Sequence, residues 1–263
     1  MIHCREDRKI CEALLRASRE RGDHVKPVPE LIVMAGRHFL GAPYEPDTLE
    51  REGPEGLVVN LRAFDCVTLV ETAVAIALTV RARKTAFADF AAALERIRYR
   101  GGHCDGYASR LHYFTDWLFD NGRRGVVRDI TAEIGGVLFR KEFHALTGRR
   151  EEHPPLKDAA AFRRMRLVEA ACSRRTLYRI PKEDTKKHGG KIADGDIVAI
   201  ASDMEGIDVS HAGIAVRGRR GLHLLHASSA AGSVALSDIT LYRYLSARRS
   251  RTGVIVGRAI PPS

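Results

Sequence analysis

Residues 66–80 impose the strongest constraint on how this chain can fold. They run from Cys66 to Val80 without a glycine or proline, and apolar residues recur at Val67, Val70, Val74 and Ala77. That spacing predicts a helix with a buried face. The run is interrupted by Thr68, Glu71, Thr72 and Thr79 and is too short and too polar to span a bilayer, so other elements must cover it. At its head stand Asp65 and Cys66. Asp65 reads as an N-cap that accepts from the first-turn N–H groups. A thiol at that position faces unsatisfied amides and the positive end of the macrodipole, which predicts a depressed pKa and a nucleophile. The competing reading is a small buried hydrophobe, the common fate of a free cysteine.

A second feature lies 145 residues downstream. Ile197–Ile200 and Ser210–Val216 are followed by a basic, glycine-containing segment, Arg217–Gly221, and then by Leu222–Ser229. Apolar runs flanking such a segment of about five residues predict a β-hairpin. Folding there makes His211 and His226 cross-strand neighbours, directly opposite or one position off. A base with a second polar group orienting its ring completes the set a cysteine nucleophile needs, in the order Cys66, His211, His226.

Two other uses of these histidines compete. A metal site would recruit His223 as well, but His223 and His226 are three apart and point to opposite faces of a strand. No C-x-x-C pair exists to support zinc, so no metal is expected. The other use is as satisfied core histidines.

Taken together, Phe64-Asp65-Cys66 at a helix start, Gly195-Asp196-Ile197 opening a strand, and the stretches Ser210–Val216 and Leu224–Ser229 resemble the NlpC superfamily. Its members are papain-like bacterial cell-wall cysteine hydrolases. Phe39–Tyr44, Asn60–Thr68, Arg110–Trp117 and Gly206–His211 resemble, more closely, the N-acetylmuramoyl-L-alanine amidase-like branch. Resembling stretches extend from about residue 30 to about residue 258. The resemblance implies an α+β fold: a papain-like NlpC-type core, with the nucleophile helix packed on a small antiparallel sheet, and a helical insert.

It further implies Cys66 as nucleophile, His211 as general base and later acid, His226 as the residue orienting His211, and Tyr44 lining the substrate groove. The Cys66 N–H would serve as an oxyanion donor. In the amidase-like branch the target is the lactyl amide joining N-acetylmuramic acid to L-alanine, notably in 1,6-anhydro muropeptides. In the wider superfamily it is the γ-D-glutamyl bond to the diamino acid of the stem peptide. This chain departs from compact members, which read Asp-Cys-Ser-Gly where it has Asp65-Cys66-Val67-Thr68, and which lack its long insert. A γ-D-glutamyl endopeptidase and an inactive muropeptide-binding module therefore stand as alternatives. No metal or organic cofactor is implied.

The chain of 263 residues, 44% hydrophobic and 29% charged, has ordinary globular usage and can bury a substantial core. It is expected to be a single catalytic domain, with a largely helical insert at about 85–180. Net charge is +10, but Arg and Lys occur as scattered doublets without interleaved aromatics, which argues against nucleic acid. A positive field equally suits stem-peptide carboxylates. The N-terminal stretch is charged, without an apolar signal segment, and the five cysteines are odd and scattered. Both point to the cytoplasm, where anhydro muropeptides are imported for recycling; a trimmed leader would make the location periplasmic. Oligomeric state is left open.

Within the insert, residues 86–99 predict a helix with Phe87, Phe90, Leu94 and Ile97 on one stripe. Residues 107–119 predict a second, with Leu111, Phe114, Trp117 and Leu118 in the core. Because that second segment resembles one specific to the amidase-like branch, Arg110, His112 and Tyr113 are candidate substrate contacts, joining Tyr44 and Asp65. Residues 159–171 predict another helix, Pro154-Pro155 and Lys182–Lys191 predict surface loops, and Gly253–Arg258 predicts a final strand.

Overall fold

The computed structural model describes residues 1–51 and 53–260. Its helices are α1 (Arg5–Glu20), α2 (Val28–His38), α3 (Cys66–Arg81), α4 (Phe87–Arg98), α5 (Phe114–Arg123), α6 (Ala145–Gly148), α7 (Ala159–Ser173), α8 (Thr185–His188) and α9 (Leu241–Ser246). Its strands are β1 (Val127–Asp129), β2 (Val137–Phe139), β3 (Leu177–Pro181), β4 (Ile197–Ser202), β5 (Val209–Gly218), β6 (Gly221–Ser228), β7 (Ser233–Leu236) and β8 (Arg251–Ala259). The strands form one antiparallel sheet in the order β2-β3-β8-β4-β5-β6-β7, with β1 also paired to β8. The class is α+β. The region at 85–180 carries α4 to α7, and it also supplies β1, β2 and most of β3 to the sheet.

The apolar run at 66–80 is helical as its pattern predicts, and Leu69, Val70, Val74 and Ile76 are at most 2% exposed. Each such side chain contributes about 1.5–3 kcal/mol by burial. Helix α3 packs against α2 and α4 and against β5 and β6. Ile214 and Leu225, paired across the hairpin, point into this core. On the opposite sheet face Val198, Ile200, Leu224 and Val256 pack with Leu241 and Leu245 of α9. All six residues of β4 are buried, as a strand covered on both faces must be.

The second insert helix begins at Phe114 rather than residue 107. Residues 107–109 form a 3-10 turn, and Arg110 bridges Tyr99 in extended conformation, its successor Leu111 donating to the Arg98 carbonyl. The start of α5 is set from afar: Oδ2 of buried Asp208 accepts from both the Thr115 N–H (2.7 Å) and its hydroxyl (2.8 Å). Residues 182–191, expected as loop, are short helical turns around α8.

Candidate active site

The lead-in to α3 is pinned on three sides. Phe64 is fully buried against Phe39, with ring centroids 4.7 Å apart. Its N–H donates to Pro43 and its carbonyl accepts from Glu45, so Tyr44 runs alongside it. From α1, buried Asp7 accepts from the Leu61 N–H at 2.9 Å and pairs with Arg62 at 3.1 Å. Asp65 caps α3 as its sequence position suggests: Oδ1 accepts from the Val67 and Thr68 N–H groups at 2.9 and 2.8 Å, and from the Thr68 hydroxyl. Thr48 donates to Oδ2 at 3.3 Å. Asp65 is therefore largely committed to the helix start. The Cys66 N–H finds no acceptor among the described residues.

The hairpin turn is tighter than expected, two residues (Arg219 and Arg220) between the paired Gly218 and Gly221. Its ladder runs to Ile214 opposite Leu225, and extending that register sets Gly213 across from His226. His211 and His226 are thus diagonal neighbours two positions out of register, on one face. An offset of one would have put them on opposite faces. His211 Nε2 lies 2.6 Å from His226 Nδ1, with the rings edge to face. His223 points to the other face, where its Nδ1 lies 2.8 Å from the Ser237 carbonyl.

Cys66 stands at the head of α3 with its thiol toward the backbone N–H of Ala212, the residue after His211. The expected depression of its pKa is not found: burial pushes the thiol up to about 12, and the Asp65 carboxylate adds to the effect. Amides of Ala212, Cys66 and Val67 pull the other way without prevailing. The helix start carries the expected cap, but the Asp65 carboxylate occupies first-turn amides and brings a negative charge beside the sulfur, and burial outweighs the macrodipole. Burial likewise pulls His211 down to about 3, helped by the charges of His226 and Arg251, and His226 down to about 4. Thiol and imidazoles all rest neutral.

Tyr44 stands close enough that burial, and then the charge of a Cys66 thiolate, push its phenol upward. Two further residues belong here that the sequence reading passed over. Tyr244 of α9 lies 5.9 Å from the His211 ring and 5.6 Å from that of His226. Arg251 covers its other side, 3.8 Å from the ring centroid, and donates to the Tyr244 carbonyl at 2.5 Å. The signal was the Leu241/Leu245 spacing, which marks a short amphipathic helix.

Arg110, His112 and Tyr113 spend their polar atoms elsewhere. Arg110 is 5% exposed and pairs with Glu50 at 2.6 Å and Glu55 at 3.3 Å. His112 Nε2 lies 2.9 Å from the Tyr107 carbonyl, and the Tyr113 hydroxyl donates to Glu169 at 2.6 Å. None of these bonds reaches Cys66, His211, His226 or Tyr44.

A family model described as N-acetylmuramoyl-L-alanine amidase-like matches residues 34–254. A solved structure of an N-acetylmuramoyl-L-alanine amidase from Bacteroides uniformis is 34% identical, with a TM-score of 0.84 over 88% of this chain and 98% of that one. A Bacteroides fragilis protein described as a candidate xylanase is 37% identical, with a TM-score of 0.80 over 86% of this chain and 99% of that one. A Legionella pneumophila protein shares the fold at 19% identity, with a TM-score of 0.71 over 95% of this chain and 94% of that one. No curated protein matches.

Proposed function

The chain belongs to the N-acetylmuramoyl-L-alanine amidase-like family, and from that premise we propose that it is a cysteine amidase of papain-like, NlpC-type design. Its substrates are peptidoglycan fragments, (1,6-anhydro)muropeptides, cut between N-acetylmuramic acid and L-alanine, with the whole chain acting as one catalytic unit. The observation that carries this reading is the 2.6 Å His211–His226 bond beside a helix-start cysteine.

One pair of tautomers across this bond suits a catalytic base. With Nε2–H of His211 donating to Nδ1 of His226, the lone pair of His211 Nδ1 is left for the thiol. Attack of the sulfur on the lactyl carbonyl transfers the thiol proton to Nδ1, and the Nε2–H bond holds the imidazolium. Sulfur and imidazole are charged together, so their mutual attraction offsets part of what burial costs each alone. The Cys66 N–H donates to the developing oxyanion. His211 then protonates the alanine nitrogen as the C–N bond breaks, and afterwards activates the water that hydrolyses the thioester.

Digestion of a GlcNAc-1,6-anhydro-MurNAc-tetrapeptide, read by mass spectrometry, tests the assignment. Free disaccharide with intact tetrapeptide is expected. A cut after D-glutamate would transfer the protein to the endopeptidases, and no cleavage would favour a muropeptide-binding module.

Two predictions follow from the geometry. A Cβ on Gly213 would lie 3.0 Å from Cβ of His226 and 3.1 Å from the Leu225 carbonyl. Gly213→Ala is therefore expected to displace His226 and lower kcat by on the order of 10–100-fold, with KM little changed; an unaltered kcat would remove His226 from the mechanism. The second concerns pH. Because His211 stays neutral down to about 3, kcat/KM should be flat across the neutral range, without an acid limb near 6.5. Stability behaves differently: the unfolded chain takes up protons that both folded histidines refuse, so Tm should fall as pH drops below the unfolded histidine value. A rate profile centred on an ordinary histidine pKa would contradict the neutral resting pair.

A further inference from the structure

At the turn end of the β5–β6 hairpin, away from His211 and His226, a cavity of about 580 Å³ opens between the turn, α8 and the start of α9. Its volume is that of an ordinary small-ligand site. Buried Leu222 and Leu241 form part of its wall, and its charged lining is one-sided: Lys186, Arg217, Arg220 and Arg243 against the single carboxylate of Asp238. These cations come from three separate parts of the chain. Gly221, at φ +129°, takes a conformation closed to most residues and lets the chain turn from Arg220 into β6 at the cavity rim.

Two features bear on what this group can do. First, none of the four is ion-paired with a carboxylate among the described residues, unlike Arg98, Arg100, Arg110, Arg124, Arg175 and Arg258, so the cavity's positive lining is not neutralised by such pairs. Second, two of the four are held in place. Nη2 of Arg217 donates to the carbonyls of Ile192 (2.7 Å) and Gly189 (3.2 Å), and Lys186 Nζ stands 4.2 Å from the ring centroid of Tyr242. Like charges gathered around one concavity repel unless an anion joins them. Guanidinium forks are suited to planar carboxylates and to phosphate oxygens.

We propose that this cavity binds a multiply charged oxyanion, a dicarboxylate or phosphate group, at a site separate from Cys66. The site stands whether or not the amidase reading does. Its ligand has two possible sources: the carboxylates of a stem peptide, or a free phosphate compound.

The test uses the full chain, titrated calorimetrically with pyrophosphate and, separately, with free stem tetrapeptide, in low and high salt. At least one probe is expected to bind the wild type with salt-sensitive affinity, and to bind Arg220→Ala/Arg243→Ala at least tenfold more weakly at unchanged Tm. Arg217→Lys, which keeps the charge but loses the fork, should weaken binding less. Tetrapeptide binding, with a raised KM and unchanged kcat for muropeptide in the double variant, identifies the stem peptide as the source. Pyrophosphate binding with unaltered muropeptide kinetics identifies a separate phosphate ligand. Binding of neither probe, or equal binding by wild type and double variant, overturns the proposal.

Discussion

Cys66→Ala is expected to lower kcat/KM for muropeptide by on the order of 10⁴–10⁶-fold, the range seen when a nucleophile is removed from a catalytic unit. The fold should survive. Cys66 is half-buried at the head of α3, and the cap there rests on Asp65 and Thr68 rather than on sulfur. A Tm close to the wild-type value would show that the loss is chemical. His211→Ala should fall into the same range, and the double variant should be scarcely worse than either single one, because the sulfur and its base act in one step. His226→Ala should cost less, since it removes the orienting bond and leaves the base. Multiplicative losses in the double variant would mean that the two residues act independently.

Arg98→Met is expected to destabilise the protein by about 3–5 kcal/mol near neutral pH, the cost of leaving a buried charge unpaired. Arg98 and Glu71 are buried together, 2.6 Å apart, and Arg98 also donates to the Val58 carbonyl at 2.5 Å. Glu71 sits on α3 just beyond the first turn that Cys66 opens, so the pair ties that helix to α4 and to the chain leading into Asp65. Burial already raises the Glu71 pKa despite its partner. Without Arg98 it rises further, and the folded state then holds a proton that the unfolded chain releases. Stability of the variant should therefore fall as pH rises above the unfolded carboxyl value, and the deficit relative to wild type should narrow toward acid. Denaturant unfolding at several pH values measures this. The double variant Arg98→Met/Glu71→Leu should recover most of the loss; a deficit independent of pH would assign it to packing instead.

What was legible in the sequence was local and periodic. The apolar spacings at 66–80, 87–97 and 159–171 became α3, α4 and α7, and the paired apolar runs became β5 and β6. Each pattern reports burial on one face, which short-range spacing carries. The misses came from long-range partners. Residues 107–113 have helical spacing, yet Arg110 is drawn to Glu50 and Glu55, and Leu111 to Arg98, so the segment extends. The histidine register depended on a turn two residues long rather than about five. The thiol pKa failed for a related reason: a helix start was visible, but the burial of the sulfur was a property of the assembled core. Tyr244 and Arg251 flank the histidines only because α9 folds back over the sheet.

The central claim is that Cys66 is acylated by the muramyl group. Rapid acid quench of enzyme mixed with GlcNAc-1,6-anhydro-MurNAc-tetrapeptide, followed by peptide mass mapping, tests it directly. The account predicts a thioester on the Cys66 peptide whose added mass is that of the disaccharide acyl group alone, formed as tetrapeptide is released and absent in Cys66→Ala. Hydrolysis that persists in Cys66→Ala with no adduct, or an adduct that carries the first two stem residues, would contradict it.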